Sequence, residues 1–211
     1  MKKVAVILVG IFGALLLLVL LVAVPLISIN NTMIGRLEDV DKQWAQVENA
    51  YQRRADLVPN LVATVQGAAN FEKSVLTEVT EARASVGRTQ INAGAASDPA
   101  ALRQFQQAQD QLSSALSRLM VVVERYPELK ATQSFLTLQA QLEGTENRIA
   151  VERGKFNDAV RAYNVHIQKF PNFVVAGMRG YKSRPYFEAV KGSEVAPAVK
   201  FDGPGGQPSP Q

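Results

Sequence analysis

The chain has 211 residues, with 23 Lys and Arg against 19 Asp and Glu, a single His and no Cys. Disulfides, thiol nucleophiles and zinc sites built on Cys are therefore excluded. With Lys2 and Lys3 set aside the charges nearly balance, and the longest basic run is Arg53-Arg54, too little for a nucleic-acid surface.

Residues 4 to 29 carry no charge. As a helix they would measure about 39 Å, against about 30 Å of hydrocarbon in a bilayer. The run exceeds the apolar region of a signal peptide and ends in "AVPLISINN" without a convincing small-x-small site, so an uncleaved anchor is expected. Lys2 and Lys3 precede it, and Arg36 after it is soon followed by Glu38, Asp39 and Asp41. The positive-inside rule then puts the N-terminus in the cytoplasm, in a single-pass protein of an inner or plasma membrane. Gly10 and Ala14 form a small-xxx-small pair that would allow close approach of two anchors.

Leu37, Val40, Trp44, Val47 and Tyr51 recur at steps of three and four, one face of a helix. Core packing is one reading of this stripe. A surface for self-association or for a partner is the other, since aromatic residues are enriched at interface hot spots. The stripe resumes from Val58 to Val86 across Pro59. Asp56 as a cap with Pro59 in the first turn predicts two helices, whereas the nearly unbroken stripe predicts one kinked helix.

Residues 87–100 are expected to form a loop, with Asp98 capping and Pro99 opening a helix that Pro127 stops. The last long helix is expected from about Leu129 to Phe170. It carries Phe135, Leu142, Ile149, Phe156, Tyr163 and Phe170 at a spacing of seven, a bundle seam. Glu152 and His166 fall at seam positions. A neighbouring Arg83 or Arg103 is the expected partner of Glu152, with Arg148 four residues away as a second.

The remaining carboxylates and cations of this helix read as its wet face. A di-metal carboxylate bundle would need Glu-x-x-His, but residue 163 is Tyr, and no nucleophile elbow, Walker loop or dinucleotide fingerprint occurs. No catalytic, cofactor or metal residues are assigned and no enzyme is expected. Past Pro171 the aromatic residues lose helical period and Gly177, Gly180 and Pro185 intervene, so an irregular tail is expected, disordered from about residue 202.

The sequence predicts an all-α protein: an anchor (1–30), an up-and-down antiparallel bundle (31–172) of four helices, or three with a Pro59-kinked first helix, and a tail (173–211). The blocks "VDKQWAQVENAYQRRADLVPNLVATVQG", "FEKSVLTEVTEARA", "YPELKA", "LEGTENRIAVERGKFNDAVRAYN" and "FPNFVVAGM" with "YFEA" resemble the LemA family over about residues 30 to 200. The resemblance implies a membrane-attached helical bundle with no established activity, cofactor or catalytic residue to transfer. It also implies kinship with proteins that help build magnetosomes, and an N-terminus outside the cell, opposite to the charge rule.

Two functions are expected to compete. One is a self-associating scaffold organising or remodelling the membrane, held in the bilayer through residues 4–29. The other is an adaptor presenting its bundle or tail to a membrane protein such as a protease or secretion component. Neither involves nucleic acid.

Overall fold

A computed structural model describes residues 2–68, 71–90 and 95–188. The expectation of disorder from residue 202 lies outside them. The described chain is all-helical: α1 (Lys2–Gln66), α2 (Lys73–Gln90), α3 (Pro99–Val123), α4 (Pro127–Lys130), α5 (Gln133–Gln168) and α6 (Asn172–Arg179).

The lower part of α1 projects from the fold with its described large apolar side chains exposed, from Ile7 to Ile27, as an anchor would. Its upper part, α2, α3 and α5 form an up-down-up-down bundle. α1 lies along α5 and α2 along α3. Arg36, midway along α1, donates to the carbonyl of Ala162, and Arg54 meets Glu146 further up, so α1 and α5 are antiparallel.

The chain does not break at Pro59. α1 continues through it and ends at Gln66, so the turn falls near Gly67. Pro59 lacks the N–H that would bond the carbonyl of Ala55, four residues back. Arg83 Nε of α2 donates to that carbonyl at 3.0 Å. A cation from the next helix thus satisfies the group that proline orphans, which leaves Arg83 committed away from Glu152.

Asp98 caps α3, accepting from the N–H groups of Ala100 and Ala101 at 3.0 and 3.3 Å, with Pro99 in the first turn. α2 runs to Gln90, further than the expected loop start at residue 87. α5 starts at Gln133, later than expected, because Thr132 caps it through the N–H of Phe135.

The seam residues Phe135, Leu142, Ile149, Phe156 and Tyr163 are buried. Phe170 is 83% exposed, because α5 has ended at Gln168 and the heptad no longer applies. The segment read as irregular begins with α6, closed by Gly180 in the left-handed region (φ 76°). Tyr181 N–H bonds Ala176 O at 2.9 Å in a Schellman arrangement, so Gly180 stops the helix without preventing it.

The core has two apolar clusters. The membrane-proximal one includes Met33, Trp44, Phe105, Phe156 and Tyr163, and the distal one includes Val58, Leu61, Leu112, Leu119 and Phe135. A polar layer lies between them. Arg54, 1% exposed, donates to Ser113 Oγ, Glu146 Oε1 and Gln109 Oε1, each at 2.6 Å, and to the Gln109 carbonyl at 3.1 Å. Arg54 Nε and Gln109 Nε2 remain buried without a partner.

Candidate functional site

Two features of the membrane-proximal half stand out, and both are built by the segment after Pro171. The first is a groove. Val40, Trp44, Val47 and Tyr51 are buried within the chain, and Leu37 packs against the same cluster. The structure therefore corrects the reading of this stripe as a free interface: α3, α5 and residues 181–188 cover it.

Trp44 meets Phe105 and Phe156 edge-on at centroid distances of 5.3 and 5.5 Å and stacks on Phe187 at 5.8 Å. Phe187, only 4% exposed, comes from the extended strap of residues 181–188, which runs over the bundle. The Arg153 guanidinium lies over its outer face, 4.8 Å from the centroid.

Two asparagines of α5 hold the strap by its backbone. Asn164 accepts from the N–H of Arg184 and donates to its carbonyl, both at 2.8 Å. Asn157 does the same for Phe187, at 3.0 and 3.3 Å. Arg153 Nη2 donates to the Glu188 carbonyl at 2.8 Å, and the Arg184 guanidinium stands 3.7 Å from Asp41. Sequence reasoning did not single out Asn157 or Asn164, whose spacing of seven is the one signal of a common role.

The second feature is α6, which packs beside the last turns of the apolar span. Val175, Met178 and Arg179 share a cleft with Leu26, Ile27, Asn30 and Asn31 of α1. The Tyr181 hydroxyl donates to Asn30 Oδ1 at 3.4 Å. Val175 and Ala176 face the bundle, whereas Phe173, Val174 and Met178 are 53%, 44% and 79% exposed, beside the exposed Phe170. No acidic residue occurs between Asp158 and Glu188, while Arg161, Lys169, Arg179, Lys182 and Arg184 do.

The polar seam residues make local contacts. Glu152, nearly fully buried, pairs with Arg148 at 2.8 Å and Lys155 at 3.1 Å on its own helix, so the Arg148 expectation holds and the interhelical one does not. His166 sits by Asn172, whose Nδ2 donates to the His166 carbonyl at 2.9 Å. Its pKa lies below the ordinary 6.5 through burial, then through Arg36 and Lys169. Burial raises the pKa of Glu48, opposed by a hydrogen bond from Trp44. Among the described residues, no three His, Asp or Glu side chains group as metal ligands would.

Comparison with known proteins finds relatives over most of the chain. Magnetosome protein MamQ 1 of Paramagnetospirillum magneticum is 28% identical over 178 residues, covering 75% of this chain and 64% of the relative. Magnetosome protein MamQ of Magnetospirillum gryphiswaldense is 27% identical over 177 residues, 74% of this chain and 64% of the relative. Protein LemA of Metamycoplasma hominis is 21% identical over 140 residues, 66% of this chain and 60% of the relative. The chain thus spans less than two thirds of the length of these relatives. The profile of the LemA family matches residues 43–201, from just before Trp44 to beyond the strap, and the chain belongs to that family.

Proposed function

We propose that the protein is a non-enzymatic, self-associating membrane scaffold whose bundle is fastened to the bilayer at two places. The observation that carries this reading is the apolar outer face of α6 at the level where α1 leaves its apolar span. The charge-free run exceeds the hydrocarbon by about 9 Å, or about six residues, which puts Leu26 and Ile27 in the headgroup region of an upright helix. α6 beside them would lie in the interface with Phe173 and Met178 toward the acyl chains, as amphipathic interfacial helices do. Lys169, Arg179 and Lys182 flank that face, and each adds about 1 kcal/mol of attraction to an anionic surface.

One crossing helix leaves a bundle free to tilt, whereas a second contact fixes its angle to the membrane plane. Many copies held at one angle can impose order or curvature on a bilayer. The names of the magnetosome relatives fit a role at a membrane-bounded structure. The adaptor reading draws less support, because Phe187 of the tail is buried against the chain's own bundle.

The test is reconstitution of the full chain at high density in vesicles containing anionic lipid, imaged by electron cryomicroscopy. The wild type should cluster and deform the vesicles, and F173D/M178D should insert but leave them smooth. Dispersed wild-type copies on undeformed vesicles, indistinguishable from the variant, would refute the proposal.

A further inference from the structure

The strap is recognised as a bound peptide would be. Asn157 and Asn164 are two helical turns apart, about 10.5 Å along α5. Arg184 and Phe187 are three residues apart in extended chain, about 10 Å. The two repeats match, so each amide pairs in both directions with one backbone unit, like a rung of a sheet. These contacts read an extended backbone of any sequence. Specificity comes from the aromatic box around Phe187 and from Asp41 facing Arg184, which together select Arg-x-x-Phe.

From this geometry we infer that copies standing on the same membrane exchange their α6–strap units, each Arg184–Phe187 segment seating in a neighbour's groove. Nothing in the recognition depends on groove and strap sharing a chain, and the neighbour's strap has the required sequence by identity. Exchange of an identical element in this way is a low-cost route to association.

The elbow is the extended backbone at Lys169, between α5 and α6. From there to Ser183, the helical and extended parts together reach about 35 Å, more than the width of one bundle, about 20 Å for two helix diameters. The exposed apolar face of α6 keeps the swinging unit at membrane level, so its search for a groove is two-dimensional. The inference rests on the scaffold reading and gives it a contact.

The chain has no Cys, which makes disulfide mapping unambiguous. Gln168 on α5 and Ser183 on the strap are exposed neighbours, with Nε2 and Oγ 3.4 Å apart. Full-length Q168C and S183C chains carrying different tags are co-expressed, oxidised in membranes and run without reductant. Exchange predicts a mixed dimer that is absent when either variant is expressed alone. The F187A change in the S183C chain should reduce it to the collisional background, while circular dichroism confirms a folded helical protein.

The double variant Q168C/S183C, expressed alone, reports the other outcome. If it closes entirely within one chain and the mixed dimer is missing, the inference is overturned, as it is if single variants crosslink with themselves equally well. Light scattering on the same samples separates the two readings. A large assembly without the mixed disulfide retains the scaffold and removes the exchange, whereas a monomer removes both.

Discussion

The continuity of α1 through Pro59 rests on Arg83, and this can be measured by a double-mutant cycle. Ala55 is 5% exposed, so its carbonyl has little access to water when the guanidinium is removed. An unsatisfied buried acceptor costs about 1–3 kcal/mol. Arg83 itself is exposed, which lets solvent enter part of the space it leaves, so R83M should cost about 1–2 kcal/mol. P59A restores an N–H four residues after Ala55 and removes a helix-interior proline, worth about 3 kcal/mol relative to Ala. Loss of proline's rigidity in the unfolded chain offsets about 0.4–1 kcal/mol of that gain.

Once P59A has supplied an N–H for the Ala55 carbonyl, R83M becomes an ordinary surface change, within about 0.5 kcal/mol. The coupling between the two sites should therefore be about 0.5–2 kcal/mol. Urea unfolding of the full chain in mild detergent, followed by fluorescence of Trp44, the one Trp, supplies all four stabilities. An equal cost of R83M with Pro and with Ala at position 59 would refute the reasoning.

Three further outcomes follow from the packing. R54M should destabilise by about 3 kcal/mol or more by stranding the buried Gln109 acceptors, and R54M/Q109M should recover part of the loss because both partners then become apolar; an additive double variant would contradict this. F187A should cost about 3–5 kcal/mol in the same assay and shift Trp44 emission to the red, whereas unchanged emission would mean the strap does not cover Trp44. For Glu48, whose folded pKa is raised, the folded state binds more protons than the unfolded state above 4.5, so stability falls as pH rises through that window. E48Q should therefore stabilise at neutral pH and lose its advantage below about pH 4.5, where both states are protonated; an equal gain at every pH would remove the titration from the account.

The bundle was legible because its code is local. Seam residues at intervals of seven, Asp98-Pro99 at a helix start and a charge-free N-terminal run each act within a few residues of themselves. Pro59 was ambiguous because the donor that replaces its missing N–H at the Ala55 carbonyl, Arg83, lies 28 residues beyond Ala55 on α2. Phe170 kept the heptad arithmetic after the helix had stopped.

The apolar stripe around Trp44 was legible as a face in need of cover. Its cover includes Phe187, from a segment whose aromatic residues follow no helical period, because an extended strap needs none. The asparagine clamps were illegible for the same reason, since each pairs with a backbone 20 or 30 residues on. Basic residues near the membrane are also easily undercounted. In sequence, Arg36 alone follows the anchor closely, whereas the fold brings Arg179 beside Asn30 and Asn31, with Lys182 soon after it in the chain.

The central claim is that α6 touches the bilayer, and a depth measurement tests it most directly. A nitroxide on M178C, in the full chain reconstituted in vesicles, is compared for access to dissolved oxygen and to a water-soluble nickel relaxant, with S117C on the distal half of α3 as the aqueous reference. The account predicts oxygen access above nickel access at residue 178 and the reverse at residue 117. Equal, water-like values at both positions would mean that α6 stands clear of the membrane and that the bundle is held by α1 alone.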